Sequence, residues 1–444
     1  MDYIKLTRDL VEKAQKFGSE ATEVFLQTSR NLSIQVRDFE VETIEEAASA
    51  GIGFRVMVGG RLGFSHCNDL SAKALEDTIK RAITFAKITT PDEFNVLPEI
   101  TSVAQIEGLY DPSIISIPMD KKIGMAIDLE RSAMSVTGIS LSSGASYREG
   151  DGEVFIANSN GLSGSYKSSS CSLGVGVVAE KGDQKNTGRE SCTRRFFADL
   201  LPVEEIAAEA ARKALELIDP VMISTQRASV IFDSNAAFSL LGGIISAITG
   251  DRVQQGASFL MNSLDQAFAS ALLTITDNGL LPKGLGSAPF DGEGVATQKR
   301  VLVDKGVLKG FLHNSYTAKR AGAASTGNAS RRDFTSLPGI GTHNLYVEAG
   351  QFSPEEIIGA TRRGLLVKEV TGYGINPVNG NFSGGANGLW IENGEIKHPV
   401  KGVTIAGSAT EVLGAIDMMA NNLDLNRSMA SPTFRVAEMQ IGGK

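Results

Sequence analysis

Residues 50–67 read AGIGFRVMVGGRLGFSHC, and the reading of this stretch decides the fold of the first half of the chain. Apolar residues run up to Gly59–Gly60 and resume beyond it, the pattern of two strands joined by a tight turn whose glycines tolerate left-handed backbone. Ser71 then precedes AKALEDTIKRAITFAK, a helix with an N-cap, which ends at TTPDEF. Upstream, TEVFLQTS (22–29) and NLSIQVRD (31–38) alternate like strands. Ahead of them Ile4, Leu10, Val11, Ala14 and Phe17 recur at roughly helical spacing, and Gly18 stops that helix. Helix, strands, hairpin and helix together make an α+β unit.

Working outward, residues 88–118 lack periodicity and read as a spacer that packs across the surface. A helix near 119–137 leads into GISLSSGASYREGDGEVFIANSNG (138–161) and SCSLGVGVVAEKGDQKNTGRESCTRRFF (170–197), strands punctuated by Gly, Asp and Asn turns. PVEEIAAEAARKALELI (202–218) is a helix, and DPVMISTQ (219–226) reads as the boundary. From about 221 short β-rich segments alternate with Gly pairs, with helices near 236–249 and 353–364. The expected fold is α+β: an N-terminal α/β domain over 1–220 and a C-terminal β-rich domain, barrel-like or of layered sheets, over 221–444. No repeat of fixed period is visible in the sequence.

The 444 residues include 48 glycines, which fits many turns and short strands, and carry a formal charge of −8 with no basic run. An acidic chain without clustered Lys and Arg is poorly suited to binding nucleic-acid phosphates. Cys67, Cys171 and Cys192 are odd in number and lack metal-like spacing, so neither a disulfide framework nor a structural zinc site is expected. The first twenty residues carry charges throughout, unlike a signal peptide, and no apolar run is long enough to span a membrane. A cytoplasmic protein that contacts neither membrane nor nucleic acid is the expectation.

Several mechanisms lose their motif. There is no phosphate-binding GxxxxGK[ST] and no GxSxG elbow, and none of His66, His313, His343 and His398 is followed by Glu, so an HExxH zinc helix cannot be built. The richest run is GLGSAPFDGEGVATQKRVLVDKGVLKGFLHNSYTAKRAGAASTGNASRR (284–332). Asp291 and Glu293, two apart, would face the same way on a strand and could shuttle a proton. Asp-Gly and Glu-Gly are turn formers, VDKG (303–306) reads as a hairpin turn, and on residue types alone turn chemistry outweighs the proton shuttle. His313 beside Tyr316, at the end of an apolar strand, reads as a hydrogen-bonded structural histidine ahead of a ligand. Asn328 lies in the same run, and Arg331 and Arg332 could clamp a carboxylate or a peptide carbonyl, or be solvated. GYGINPVNGNFSGGANGLWIENGEI (372–396) reads as strands and tight turns, a sheet whose edge could take an extended peptide.

Taken together PFDGEG (289–294), GVLKGFLHNSYTAKRAG (306–322), STGNASRR (325–332), SGGANGLWIENGEIKHPVKGVTIAGS (383–408) and SPTFRVAEMQIGG (431–443), with GIGFRVMVGGRLGFS (51–65), resemble the TldD/PmbA (TldE) family of peptidases. The resemblance implies an N-terminal α/β domain, a C-terminal β-rich domain and a dimer enclosing a cavity in which unfolded peptide is cut. It also implies that a TldD-type subunit holds zinc through HExxxH on a helix of the second domain and a late cysteine. Here SLLGGIISAITGD (239–251) occupies that place after the strand RASVIFD, with Leu241, Gly242 and Ser246 where His, Glu and His would be, and no cysteine follows Cys192. Leu and Gly offer no ligand atom for Zn²⁺, and Ser belongs to none of its usual ligand sets.

The resemblance is therefore to the PmbA/TldE-type subunit. It implies no metal and no catalytic residue in this chain, zinc in a TldD-type partner, and a heterodimer acting on small or unfolded peptides. Asp291 and Glu293 fall in a motif shared by both subunit types, which favours architecture. A second reading is a homodimeric peptide-binding or modulator protein of the DNA gyrase modulator kind. A third is hydrolysis by the chain alone through Asp291, Glu293 and His313.

Overall fold

The computed structural model describes residues 1–100, 102–372 and 374–443. The first half runs α1 (Tyr3–Lys16), β1 (Ala21–Arg37), β2 (Glu40–Val58), β3 (Arg61–Cys67), α2 (Ala72–Ile88), α3 (Met119–Met134), β4 (Ile139–Asn158), β5 (Ser163–Lys181), β6 (Gln184–Arg194) and α4 (Val203–Leu215). Local chemistry sets several of these limits. Asp2 caps α1 by accepting Lys5 N–H at 2.9 Å, Ser71 caps α2, and the β2–β3 hairpin turns at Gly59 and Gly60, both at positive φ.

The six strands form one antiparallel sheet in the order β3-β2-β1-β4-β5-β6. Along β1, Val24 and Leu26 pack in one core with Leu10 and Val11 of α1 and Leu75 and Ile79 of α2. Leu32, Ile34 and Val36, on the same side of β1, pack with Ala126 and Leu129 of α3 and Ala207 and Ala210 of α4. All four helices therefore cover one face. The opposite face carries Phe25 and Ile156, which meet Phe290 of the second half.

Element order reveals what sequence periodicity concealed: α-β-β-β-α occurs twice, the copies meeting at the β1–β4 pair. Gly63 of β3 lies so close to α2 that a Cβ would stand 2.0 Å from Ala82 O, and Gly188 of β6 meets α4 in the same way, 2.1 Å from Ala210 O. Taking these glycines as equivalent fixes the register between the copies. Gly63 pairs with Val56 and Gly188 with Val177, so the next residues inward, Arg55 and Gly176, correspond. Their cross-strand partners, Glu23 and Gly144, correspond as well. The two copies differ in hairpin length and loops, and no fixed period survives.

The spacer crosses the surface as a strap. Asp92 N–H bonds Gly60 O at 2.9 Å, Asn158 and Asn160 hold Pro98 and Leu97, and Asp111 binds Ser169 and Phe197.

The second half comprises β7 (Gln226–Phe232), α5 (Phe238–Ala247), α6 (Gly250–Gln254), β8 (Ile275–Asn278), β9 (Lys299–Asp304), β10 (Val307–Leu308), α7 (Ser315–Ala321), β11 (Ala329–Ser330), β12 (Gly339–Ile340) and β13 (Leu345–Val347). It continues through α8 (Pro354–Gly359), β14 (Arg363–Thr371), β15 (Asn381–Glu392), β16 (Glu395–Ser408), α9 (Ala409–Gly414), β17 (Ile416–Met419), β18 (Met429–Ala430) and β19 (Phe434–Gly442). Strands β16-β15-β14-β7-β19 pair in sequence, and a further β16–β19 pairing closes them into a barrel, with β17 attached to β19. A second, five-stranded sheet runs β10-β9-β8-β13-β18. The barrel-like, β-rich second domain is as expected from the sequence.

Two local readings change. The helix near 353–364 stops at Gly359, because Arg363 already opens the barrel strand β14. Strand β15 offers no free edge from Gly385 to Glu392, where it is paired with β14 on one side and β16 on the other. The VDKG turn does join β9 to β10, with Lys305 and Gly306 at positive φ. Among the described residues no helix is long and apolar enough to cross a membrane.

Candidate functional site

Two places collect Asp291, Glu293 and Arg331 on the one hand and Leu241, Gly242 and Ser246 on the other: the junction between the domains and helix α5. At the junction, Asp291 and Glu293 lie in a turn, which Gly294 N–H closes onto Asp291 O at 3.1 Å. Asp291 Oδ1 accepts the N–H groups of Glu293 and Val295 at 2.9 and 3.0 Å, and its Oδ2 accepts Ala329 N–H at 2.8 Å. The carboxyl thus ties one loop to the strand β11. Burial, reinforced by the Glu293 charge, pushes Asp291 up to about 7 against those three donors.

Glu293 is wholly buried. Its Oε1 takes Arg55 Nη1 at 2.7 Å, and its Oε2 takes Ser315 N–H at 2.7 Å, at the start of α7. Arg55 Nη2 reaches Glu23 Oε2 at 2.6 Å, while Glu23 Oε1 accepts from Arg331 Nη2. The result is a chain of alternating charge, Glu293–Arg55–Glu23–Arg331, with every member's side chain at most 6% exposed. Burial works against the Arg55 cation, but the flanking carboxylates outweigh it and hold the guanidinium protonated more firmly than usual. Arg331 also donates to Gly292 O and Ser336 O and lies 4.9 Å from the Phe25 ring centroid. Burial draws it below its usual value.

Beside this chain the loop 331–336 seats Phe334 on β2. A Cβ on Gly51 would stand 2.1 Å from the ring, and one on Gly53 would stand 2.4 Å from Phe334 O. Glycine is required there by close approach and not by backbone torsion.

The other candidates disperse. Arg332 points to solvent, with a side chain 80% exposed, and bonds its loop neighbours Asp333 and Thr335. Tyr316 donates to Asp92 Oδ2 at 2.8 Å and so pins the strap. His313 is buried, its Nδ1 3.1 Å from Thr317 Oγ1, and burial, with the Arg300 charge, lowers its pKa. Asn328 donates to Asp277 Oδ2 and Gly341 O.

Asp277 also accepts from His343, through its N–H at 2.8 Å and across 3.3 Å to Nδ1. His343, Asp291 and Arg331 line one pocket of about 190 Å³ at the junction, large enough for a few waters and small for a peptide. The sequence reading missed Glu23, Arg55, Asp277 and His343. A signal existed for the first two, each a charge inside an apolar strand run.

On α5 the three positions aligned with a metal motif part company. Leu241 is 2% exposed and belongs to the barrel core, Gly242 is exposed with open space where a Cβ would be, and Ser246 is half-buried. Gly243 is the close-packing glycine, since a Cβ there would stand 2.3 Å from Ile375 O. These side chains do not fit a zinc ion. Among the described residues no group of three or more His, Cys, Asp or Glu is placed to hold one.

Comparison with known proteins follows this geometry. Three family models match in order: PmbA/TldA metallopeptidase domain 1 over residues 22–86, the central domain over 112–218 and the C-terminal domain over 225–443. The chain is 31% identical to the metalloprotease PmbA of Escherichia coli O157:H7, over 99% of this chain and 97% of that protein. Among solved structures, a proposed modulator of DNA gyrase from Bacteroides thetaiotaomicron matches with a TM-score of 0.92 at 29% identity, covering 100% of both chains. TldE from Thermococcus kodakarensis matches with a TM-score of 0.89 at 26% identity, covering 98% of this chain and 99% of that one.

Proposed function

Because this chain belongs to the PmbA/TldD metallopeptidase family, we propose that it is the subunit without a metal site in a two-subunit zinc peptidase, helping to enclose and bind extended peptides that a TldD-type partner cuts. The observation that carries this reading is α5, where Leu241, Gly242 and Ser246 supply neither a zinc ligand nor a general base. The sequence after Cys192 contains no cysteine, and the likeness to TldE from T. kodakarensis supports the same assignment. The junction residues fit architecture better than hydrolysis. Both oxygens of Glu293 are engaged, the Asp291 carboxylate accepts from the backbone N–H groups of Glu293, Val295 and Ala329, and the His313 ring bonds Thr317. A reducing cytoplasm suits Cys67, Cys171 and Cys192, all free thiols.

The test is co-expression with a TldD-type subunit. The two chains should co-purify and cleave an unstructured peptide, a chelator should abolish cleavage, and this chain purified alone should hold far less than one zinc. One tightly held zinc per chain, or no association with such a partner, would overturn the proposal. The likeness to the B. thetaiotaomicron protein favours a second reading, a homodimeric peptide-binding modulator. Light scattering that finds a stable homodimer unaltered by the partner would select it.

A further inference from the structure

The second copy of the α-β-β-β-α unit faces the C-terminal domain across a cleft of about 980 Å³, a volume within the range of ligand sites. Its floor is almost bare of side chains. Gly144 and Gly176 pair across β4 and β5, and Ser146 pairs with Gly174. Where the first copy places the Glu23–Arg55 pair to grip the other domain, this one places two glycines, and the other domain stands off.

The walls are cationic. Arg148 on β4, Arg189 and Arg194 on β6 and Arg427 from the loop before β18 all line the cleft. None of the four has an ion-pair partner among the described residues; Arg194 bonds only Thr193 O and Arg427 only Asn235 Oδ1. Lys213 pairs with Glu190 and Glu209, and Glu209 is shared with Arg212, which also holds Glu216; along the cleft itself the four arginines and Lys213 face Glu190, Glu205, Glu209 and Asp424, five cations to four carboxylates. A local excess of positive charge on a chain of net charge −8 focuses anions into this space. The cleft also follows β6 continuously from Arg189 to Arg194, and β6 is the edge of its sheet.

We propose that this cleft binds an acidic peptide segment, with its carboxylates on Arg148, Arg189, Arg194 and Arg427 and its main chain along the open edge of β6. Guanidinium forks recognise carboxylates in two-point contacts, and a free strand edge supplies sequence-independent hydrogen bonds. The inference rests on the peptide-binding part of the function proposed above. It assigns that binding to a named surface and a substrate charge.

Fluorescence anisotropy on the full chain tests it, using a short glutamate-rich peptide and the same peptide with glutamine at every glutamate. The glutamate peptide should bind at least about tenfold more tightly at low salt, and the difference should shrink as salt screens these exposed charges. Arg148→Ala and Arg189→Ala should each weaken it about tenfold, and the double variant about a hundredfold. Gly176→Glu is an independent check. A Cβ there would lie 3.4 Å from Arg189 Cγ, so the new carboxylate would compete for that arginine. Circular dichroism verifies that all the variants fold.

Equal binding of the two peptides, an affinity unmoved by the arginine variants, or tighter binding of a single-stranded oligonucleotide than of the glutamate peptide would each overturn the proposal. Association with a zinc-bearing partner is read by co-purification, so failure of either reading is distinguishable from failure of the other.

Discussion

The two copies within the N-terminal sheet share their element order and their glycine-to-helix packing, yet they treat the C-terminal domain in opposite ways. The first presents Glu23 and Arg55 to a buried ion chain and the bare backbone of Gly51 and Gly53 to Phe334. The second presents Gly144 and Gly176 to an open cleft. On an otherwise common scaffold, a few side chains decide whether a sheet face is an interface or a site. A pair of buried charges commits the face to a partner able to neutralise them, whereas a pair of glycines leaves it uncommitted.

That contrast breaks most severely at Arg55. Arg55→Met should leave Glu23 unpaired on one side and Glu293 without its cation, at a cost of roughly 3–5 kcal/mol. Urea unfolding would register this, and a loss below about 1 kcal/mol would mean that the ion chain does not hold the domains. Phe334→Ala should cost about 2 kcal/mol, since the ring is half-buried. Gly51→Ala should cost a similar amount alone and little in the Phe334→Ala background. A double-mutant cycle that came out additive would refute the contact as the reason for the glycine.

Asp291 gives the contrast a pH signature. Its folded pKa, about 7, is raised above the ordinary value of 3.8, so the folded state holds the proton more tightly. The stabilisation is complete below pH 4 and is lost as pH rises through about 7, at up to roughly 1.4 kcal/mol per unit across that window. Comparing thermal denaturation of the wild type and Asp291→Asn between pH 5 and pH 8 should show a shallower slope in the variant. In the second copy the expected effect is smallest: Arg148→Ala and Arg189→Ala should change stability by less than about 0.5 kcal/mol, because both side chains are exposed and have no ion-pair partner among the described residues.

The sequence carried the layout of both domains, because amphipathic helices, alternating strands and Gly turns are local signals. Ser71, the Gly59–Gly60 hairpin and the VDKG turn stand where those signals place them. The internal duplication was not legible, since equivalent positions such as Arg55 and Gly176 share neither residue type nor spacing. Nor was the ion chain, because Glu23, Arg55, Glu293 and Arg331 come from four distant segments. A pair spacing such as Asp291 and Glu293 reveals neighbours along the chain and says nothing of partners across a domain boundary. The edge expected within residues 372–396 is taken up along Gly385–Glu392 for a related reason: pattern identifies a strand, but only topology tells whether both of its sides are occupied.

The closed barrel has a consequence for biosynthesis. Strand β7 is completed only when β14 lies on one side and β19 on the other, and β19 pairs Phe434 with Phe232 and Ile441 with Gln226. At translation speeds of about 5–20 residues per second, the nascent β7 waits on the order of ten seconds or more for that last neighbour. Over the same interval the N-terminal sheet, whose strands need no later segment to pair, can already be folded. A ribosome-bound chain arrested after β16 should therefore display a protease-resistant N-terminal half and an open, aggregation-prone barrel, the stage at which a chaperone would be most needed.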